Sequence, residues 1–251
     1  MRPLVAKIKP ATGFAHFFYL GLLVLLPAIV FVLVSLGFFQ LALSIVVLSK
    51  WRMFAVRPRF WPTNIRANSV DLLVGIPMVM FMYHSDGELF KLLWAVLYAV
   101  WLIVIKPKST LFMVSLQAFI GQFTGLMALY LVWGDGPLYG LTLITGLICF
   151  LSARHFFESF DEPYNRLLAY IWAYFGAALA WLLGHWLLFY GLVSQVTLLL
   201  STLGYGLASL YYLDHNDRLS KSTRRQFVFI MLAIVLLVLT FSDWGDKVVS
   251  G

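Results

Sequence analysis

The chain of 251 residues is 62% hydrophobic and only 12% charged, with a mean hydropathy of +0.89, whereas a soluble domain carries about 25% charged residues. This excludes an ordinary water-soluble domain, because the apolar runs have aliphatic residues on every side and only hydrocarbon solvates such surfaces. The net charge of +7 lies in short loops between those runs, which excludes a nucleic-acid binder with its folded basic patch and makes anionic lipid headgroups the expected partners.

The expected fold class is all-α, a polytopic transmembrane helical bundle forming a single integral membrane domain over residues 1–251. Arg2, Lys7 and Lys9 precede an apolar block from Gly13 to Ser49. That block exceeds the roughly 7–15 residues of a signal peptide, so it reads as an uncleaved first span. As one helix it would measure about 55 Å, too long for a single crossing of a core about 30 Å thick. Pro27 and Gly37 interrupt it, which predicts a hairpin with spans 14–30 and 32–49 and its turn within 29–37. Further spans are predicted at 70–83, 89–105, 111–133, 138–151, 167–190, 192–213 and 227–241, giving nine. With the N-terminus cytoplasmic, every Lys and Arg except Lys91 and Lys247 falls on the cytoplasmic side, as the positive-inside rule requires. The C-terminus then falls outside, and the expected location is the plasma membrane.

The loop at 50–68 interleaves Lys50, Arg52, Arg57, Arg59 and Arg66 with Trp51, Phe54, Phe60 and Trp61. Such a segment lies in the membrane interface, rings toward acyl chains and guanidinium groups on phosphates. Arg52, Arg57 and Arg59 are therefore candidates for an anionic lipid or a phosphate-bearing substrate. Asn64, Asn68 and Asp71 follow at spacings that share one helix face. Asp71 stands at the mouth of a span and must be hydrated, paired or bound to a cation. Arg66 or another loop arginine is its expected partner.

Farther along, Arg154 to Arg166 forms a second polar cluster with His155, Glu158, Asp161 and Glu162. Imidazole and carboxylates near one another bind a divalent metal or move a proton, which makes Asp71, His155, Glu158 and Asp161 the catalytic candidates. Asp71, Glu158 and Asp161 are the metal candidates. Asp214 to Asp217 reads as a solvated helix end. His185 lies well inside the predicted seventh span, where an ionisable group faces the bundle interior. Gln117 and Gln122 accompany the GxxxG spacing of Gly121 and Gly125, a pattern of close helix packing. Cys149, the single cysteine, reads as a small buried apolar side chain. Phosphate-loop, dinucleotide, CxxC and HExxH motifs are absent.

Nine helices with polar segments Asn64-x3-Asn68-x2-Asp71 and Glu158-x2-Asp161-Glu162 in two cytoplasmic loops resemble the intramembrane prenyltransferases of the UbiA type. The resemblance rests on topology and loop placement, since the first segment holds one aspartate where that family has two or more. It implies magnesium and a prenyl diphosphate at those segments. Three functions remain open: a small transporter or permease-like protein, a membrane-embedded enzyme acting on a lipid or isoprenoid, and a structural or assembly protein.

Overall fold

The computed structural model describes residues 14–185, 189–190 and 193–242. Apart from one two-residue strand pair, Phe189–Tyr190 against Val193–Ser194, the regular structure of those residues is helical. The chain packs as two compact units that divide between Ser109 and Thr110.

The first unit holds α1 (Phe14–Ser35), α2 (Phe39–Leu48), α3 (Trp61–Ala67), α4 (Ser69–Tyr83) and α5 (Glu88–Val100), which continues as a π-helical turn at Trp101–Ile105. The second holds α6 (Leu111–Trp133), α7 (Leu138–Glu158), α8 (Asn165–Gly184), α9 (Gln195–His215) and α10 (Lys221–Thr240). Among the described residues six helices are long and apolar enough to cross a bilayer: α5 with its π turn, and α6 to α10. A seventh is reached if α4 and the preceding 58–67 segment, bent by 68° from one another, make one span. The chain is thus a polytopic helical membrane protein.

Several boundaries move from those predicted, each for a local reason. Helix α1 runs through Pro27 to Ser35, because the backbone groups a proline frees are tolerated in a membrane helix. The turn falls at 36–38 instead, where Gly37 takes φ +83°, a conformation that suits a residue without Cβ. What remains for α2 is ten residues, a rise of about 15 Å. Helix α7 continues past 151 to Glu158 and absorbs the first five residues of the predicted 154–166 loop. Helix α10 begins at Lys221, capped by the Ser220 hydroxyl accepting from Thr223 N. Thr110 and Ser194 cap α6 and α9 in the same way.

Within the first unit, polar contacts fix which helix ends share a level. The Ser35 hydroxyl at the end of α1 donates to Glu88 at the start of α5, at 2.8 Å. Near the opposite ends, Lys50 after α2, Asp71 at the start of α4 and Lys106 after the π turn meet in one ion cluster. The elements α2, α4 and α5 therefore alternate in direction.

In the second unit α7 packs along α8 and against α6, while α9 lies on α6 and carries α10. Gly206 is what lets α10 approach: a Cβ there would stand 2.0 Å from Met231 Sδ. The rest of α10 turns Val228, Phe229, Ile230, Leu232, Leu236 and Leu237 outward. A continuous apolar outer face of this kind is stable in lipid and aggregates in water.

Candidate functional site

The second unit encloses a cavity of about 290 Å³ among α6, α7, α8 and α9. Its walls are chiefly Ala118, Phe119, Ala153, Phe156, Phe157, Leu168, Trp172, Ala208 and Tyr211. Among the described residues no charged side chain lines it. Ile171 on α8 and Leu207 on α9 also border it and are 55% and 50% exposed, so the cavity opens sideways, between these two helices, onto the apolar outer face.

A fixed polar shelf stands at one wall. Gln122 is buried, its amide nitrogen donating to Leu200 O at 3.0 Å and its oxygen accepting from Trp172 Nε1 at 2.8 Å. Each end of the amide thus makes one bond, and the bond to its oxygen sets the Trp172 ring against the cavity. Gly204 makes the space: a Cβ there would lie 3.0 Å from Gln122 Nε2 and 3.2 Å from the indole. Ser115, also on the wall, turns its hydroxyl back to Leu111 O at 2.8 Å. Ser152, 2% exposed, differs: its Oγ is buried and has no hydrogen-bond partner among the described residues.

The predicted cluster at 154–166 comes apart into separate pairs. Glu158 accepts from Arg154 Nε at 2.7 Å, one turn back on α7. His155 meets Gln117 of α6 at 3.2 Å, so imidazole and carboxylate leave the last turn in different directions. Asp161 sits exposed beyond the helix end with φ +51°, and Glu162 accepts from the Tyr211 hydroxyl. The sequence spacing that suggested a metal or proton-transfer pair therefore yields none between His155 and Glu158.

In the first unit Asp71 has different partners from those expected. Its Oδ2 meets Lys50 Nζ at 3.2 Å and Lys106 Nζ at 2.5 Å, with the Asp71 and Lys50 side chains 10% and 11% exposed. Arg66 bonds instead within its own helix, to Pro62 O and Thr63 Oγ1. Burial pushes the Lys50 ammonium down to about 8, with Lys106 adding to the shift and Asp71 opposing it. The shared face of Asn64, Asn68 and Asp71 does not form, because the helix breaks at Asn68, which ends α3 and precedes α4. Asn68 Nδ2 donates to Asn64 O at 2.9 Å, closing that break.

Around it, Arg57 is exposed and Arg59 lies with its guanidinium 4.5 Å from the Phe60 ring centroid. The Arg52 side chain lies outside the described residues. Trp61 Nε1 donates to Phe54 O and Val56 O, which folds the segment back on itself. His185 is not mid-helix: it caps the end of α8, its Nδ1 at 3.0 Å from Trp181 O. The predicted span ran on to 190 because the sequence stays apolar past the helix end.

No family model matches the chain, and neither a curated protein nor a solved structure does. The prenyltransferase resemblance gains no support from them. Among the described residues no three His, Cys, Asp or Glu side chains gather to hold a metal, because Asp71 is taken by lysines and Glu158 by arginine. Sequence reasoning passed over Lys50 and Lys106 as partners of Asp71, although the topology put all three at one membrane side. It also passed over the cavity, whose aromatic and small residues carry no polar signature.

Proposed function

We propose that this protein is a small permease-like carrier that takes an apolar, lipid-like molecule from the bilayer into the cavity of its second unit. The observation carrying the reading is the sideways opening between Ile171 and Leu207, which offers a route from the acyl-chain region to a charge-free interior. Engagement of Glu158, Glu162 and His155 with neighbouring side chains favours carriage over acid–base chemistry. In this reading all nine apolar helical elements, α1, α2, α4, α5 and α6 to α10, enter the membrane, with the N-terminus cytoplasmic and the C-terminus outside. The meeting of Lys50, Asp71 and Lys106 supports the inward side of that layout, and the charge bias supports a plasma membrane. Arg57 and Arg59, beside the half-exposed rings of Phe60 and Trp61, are the residues we assign to anionic headgroups.

The test is photo-crosslinking in lipid nanodiscs with a long-chain hydrocarbon bearing a diazirine, followed by peptide mapping. Labelling should concentrate on α8 and α9 around Trp172 and Tyr211, and fall sharply in Gly204→Leu. Uniform labelling of outward faces, unchanged in that variant, would remove the reading. In vesicles, transfer of a fluorescent chain between leaflets should quicken with the protein; binding without such acceleration would leave a receptor and refute carriage.

A further inference from the structure

The cavity lies in one half of its helix bundle. Helix α6 lines it from Ser115 to Gln122, α7 from Ser152 to Phe157, α8 from Leu168 to Trp172 and α9 from Gly204 to Tyr211. These stretches adjoin the starts of α6 and α8 and the ends of α7 and α9. The Phe156–Tyr211 ring contact and His155 on Gln117 hold that end together, and Arg154, Arg166 and Arg218 stand there. The mouth is at the same level. Ile171 is about 9 Å along α8 from Asn165, and Leu207 about 12 Å along α9 from His215. Half of a hydrocarbon core is about 15 Å, so both residues meet the acyl chains of a single leaflet.

The other half of the bundle is closed. Gly206 apart, the buried residues of α9 all lie between Gln195 and Ser201. Opposite them Gly176 of α8 packs so tightly that a Cβ there would stand 2.6 Å from Cys149 Sγ and 3.6 Å from Leu200 Cδ1. Ala180 and Leu183 continue the buried side of α8, and Tyr130 bonds to Thr145 at 2.8 Å between α6 and α7. An interior packed to this density leaves no passage for a chain, so among the described residues the far leaflet has no route to the cavity. Size and charge then limit what enters from the near one. A volume of about 290 Å³ lies at the small end of ligand pockets. With no Lys, Arg, His, Asp or Glu of the described residues on the wall, an ionised head inside would be desolvated and unpaired.

We infer that the cavity is loaded from one leaflet, the one beside Arg154, Arg166 and Arg218, by a lipid that keeps its polar head at that surface and inserts a single chain. The inference rests on the lipid-like occupancy proposed above and adds the side and the form of the occupant; in the proposed orientation that leaflet is cytoplasmic. Its test uses a lysophosphatidylcholine with a diazirine at mid-chain, which stays in the leaflet it enters. The full chain is reconstituted in vesicles of either orientation. They are told apart, in a separate aliquot, by whether trypsin added outside cuts at the exposed Arg218, Lys221, Arg224 and Arg225. Where trypsin cuts, lysolipid added outside should label the cavity peptides around Trp172 and Gly204; where it does not, that labelling should be lost. Ile171→Trp fills the mouth from an exposed position and should lower the labelling without changing the melting temperature; unchanged labelling would overturn the mouth. The same lipid with its diazirine on the head should label the 159–164 and 216–220 segments and spare the cavity wall. Equal labelling from both faces overturns the one-leaflet route, and wall labelling by the head-borne diazirine overturns the form of the occupant. The plain hydrocarbon reaches both leaflets and separates these failures from that of the cavity: its labelling upholds the occupancy when the lysolipid result is negative, and its own failure overturns both.

Discussion

Asn at position 71 isolates the ion cluster of the first unit. Asp71 Oδ2 touches both Lys50 Nζ and Lys106 Nζ, so the two ammonium groups are within about 6 Å of one another and only the carboxylate separates them electrostatically. At an effective dielectric constant near 20, two unit charges at that distance repel by about 3 kcal/mol. Lys106 is 35% exposed and can swing toward water, which reduces the net cost of Asp71→Asn to about 2 kcal/mol. For a chain of this length that is a fall in melting temperature of about 4–8 °C, read by tryptophan fluorescence on protein in mild detergent. Lys50→Met combined with Asp71→Asn removes the surplus buried charge and should recover much of the loss. Lys106→Met alone should cost little, since Lys50 keeps its pairing. Arg66→Gln should be silent, because that guanidinium bonds to Pro62 O and Thr63 Oγ1. An unchanged melting temperature in Asp71→Asn, or a loss in Arg66→Gln of the same size, would refute the reasoning.

Four more outcomes are expected. Lys50 is depressed from 10.5 to about 8 in the folded protein, so the unfolded chain holds more protons between those values and stability should rise as pH climbs through that window; a melting temperature that falls across it would contradict the burial of Lys50. Gly206→Ala places a Cβ on Met231 Sδ and should destabilise by about 1–2 kcal/mol, with Met231→Ala restoring much of it; a neutral Gly206→Ala in thermal melts would mean α10 is not seated as described. Cys149 is fully buried, so a maleimide should react only as the second unit opens, and fast labelling of the native protein would rule out that packing. Glu158→Gln removes one exposed pair with Arg154, and should change stability by less than about 0.5 kcal/mol and leave cavity labelling intact; loss of labelling would return Glu158 to the site.

The helices of the second unit were legible because hydropathy reports the dominant constraint on a membrane chain, that its backbone bonds close within each segment. The limits 111–133 for α6 were read directly, since Thr110 caps one end and Gly134 follows the other. Where apolar composition and helix geometry part company, the reading drifted. It stopped α7 at Leu151, although Arg154, His155 and Glu158 all fit on the same helix once their side chains have partners. It continued α8 through His185, although the helix is already capped there. In the first unit it named both Pro27 and Gly37 as interruptions and put the turn within 29–37, and only Gly37 at the end of that window breaks the helix, because a proline marks a turn in water more strongly than it does in lipid.

The functional residues were less legible, and charge is the reason. In a chain with so few ionisable groups each one draws attention, yet a charge held out of water must find a neighbour, and the neighbours found here are other protein side chains. Asp71 with two lysines, Glu158 with Arg154 and Glu162 with Tyr211 each satisfy that requirement, leaving little in those clusters that calls for a substrate. Ser152 looks in sequence like Ser115 or Thr124, a small hydroxyl in an apolar run, and all three are able to donate to their own helix. Only the packed structure separates them, by giving two of the three a carbonyl and leaving the third buried with no partner among the described residues.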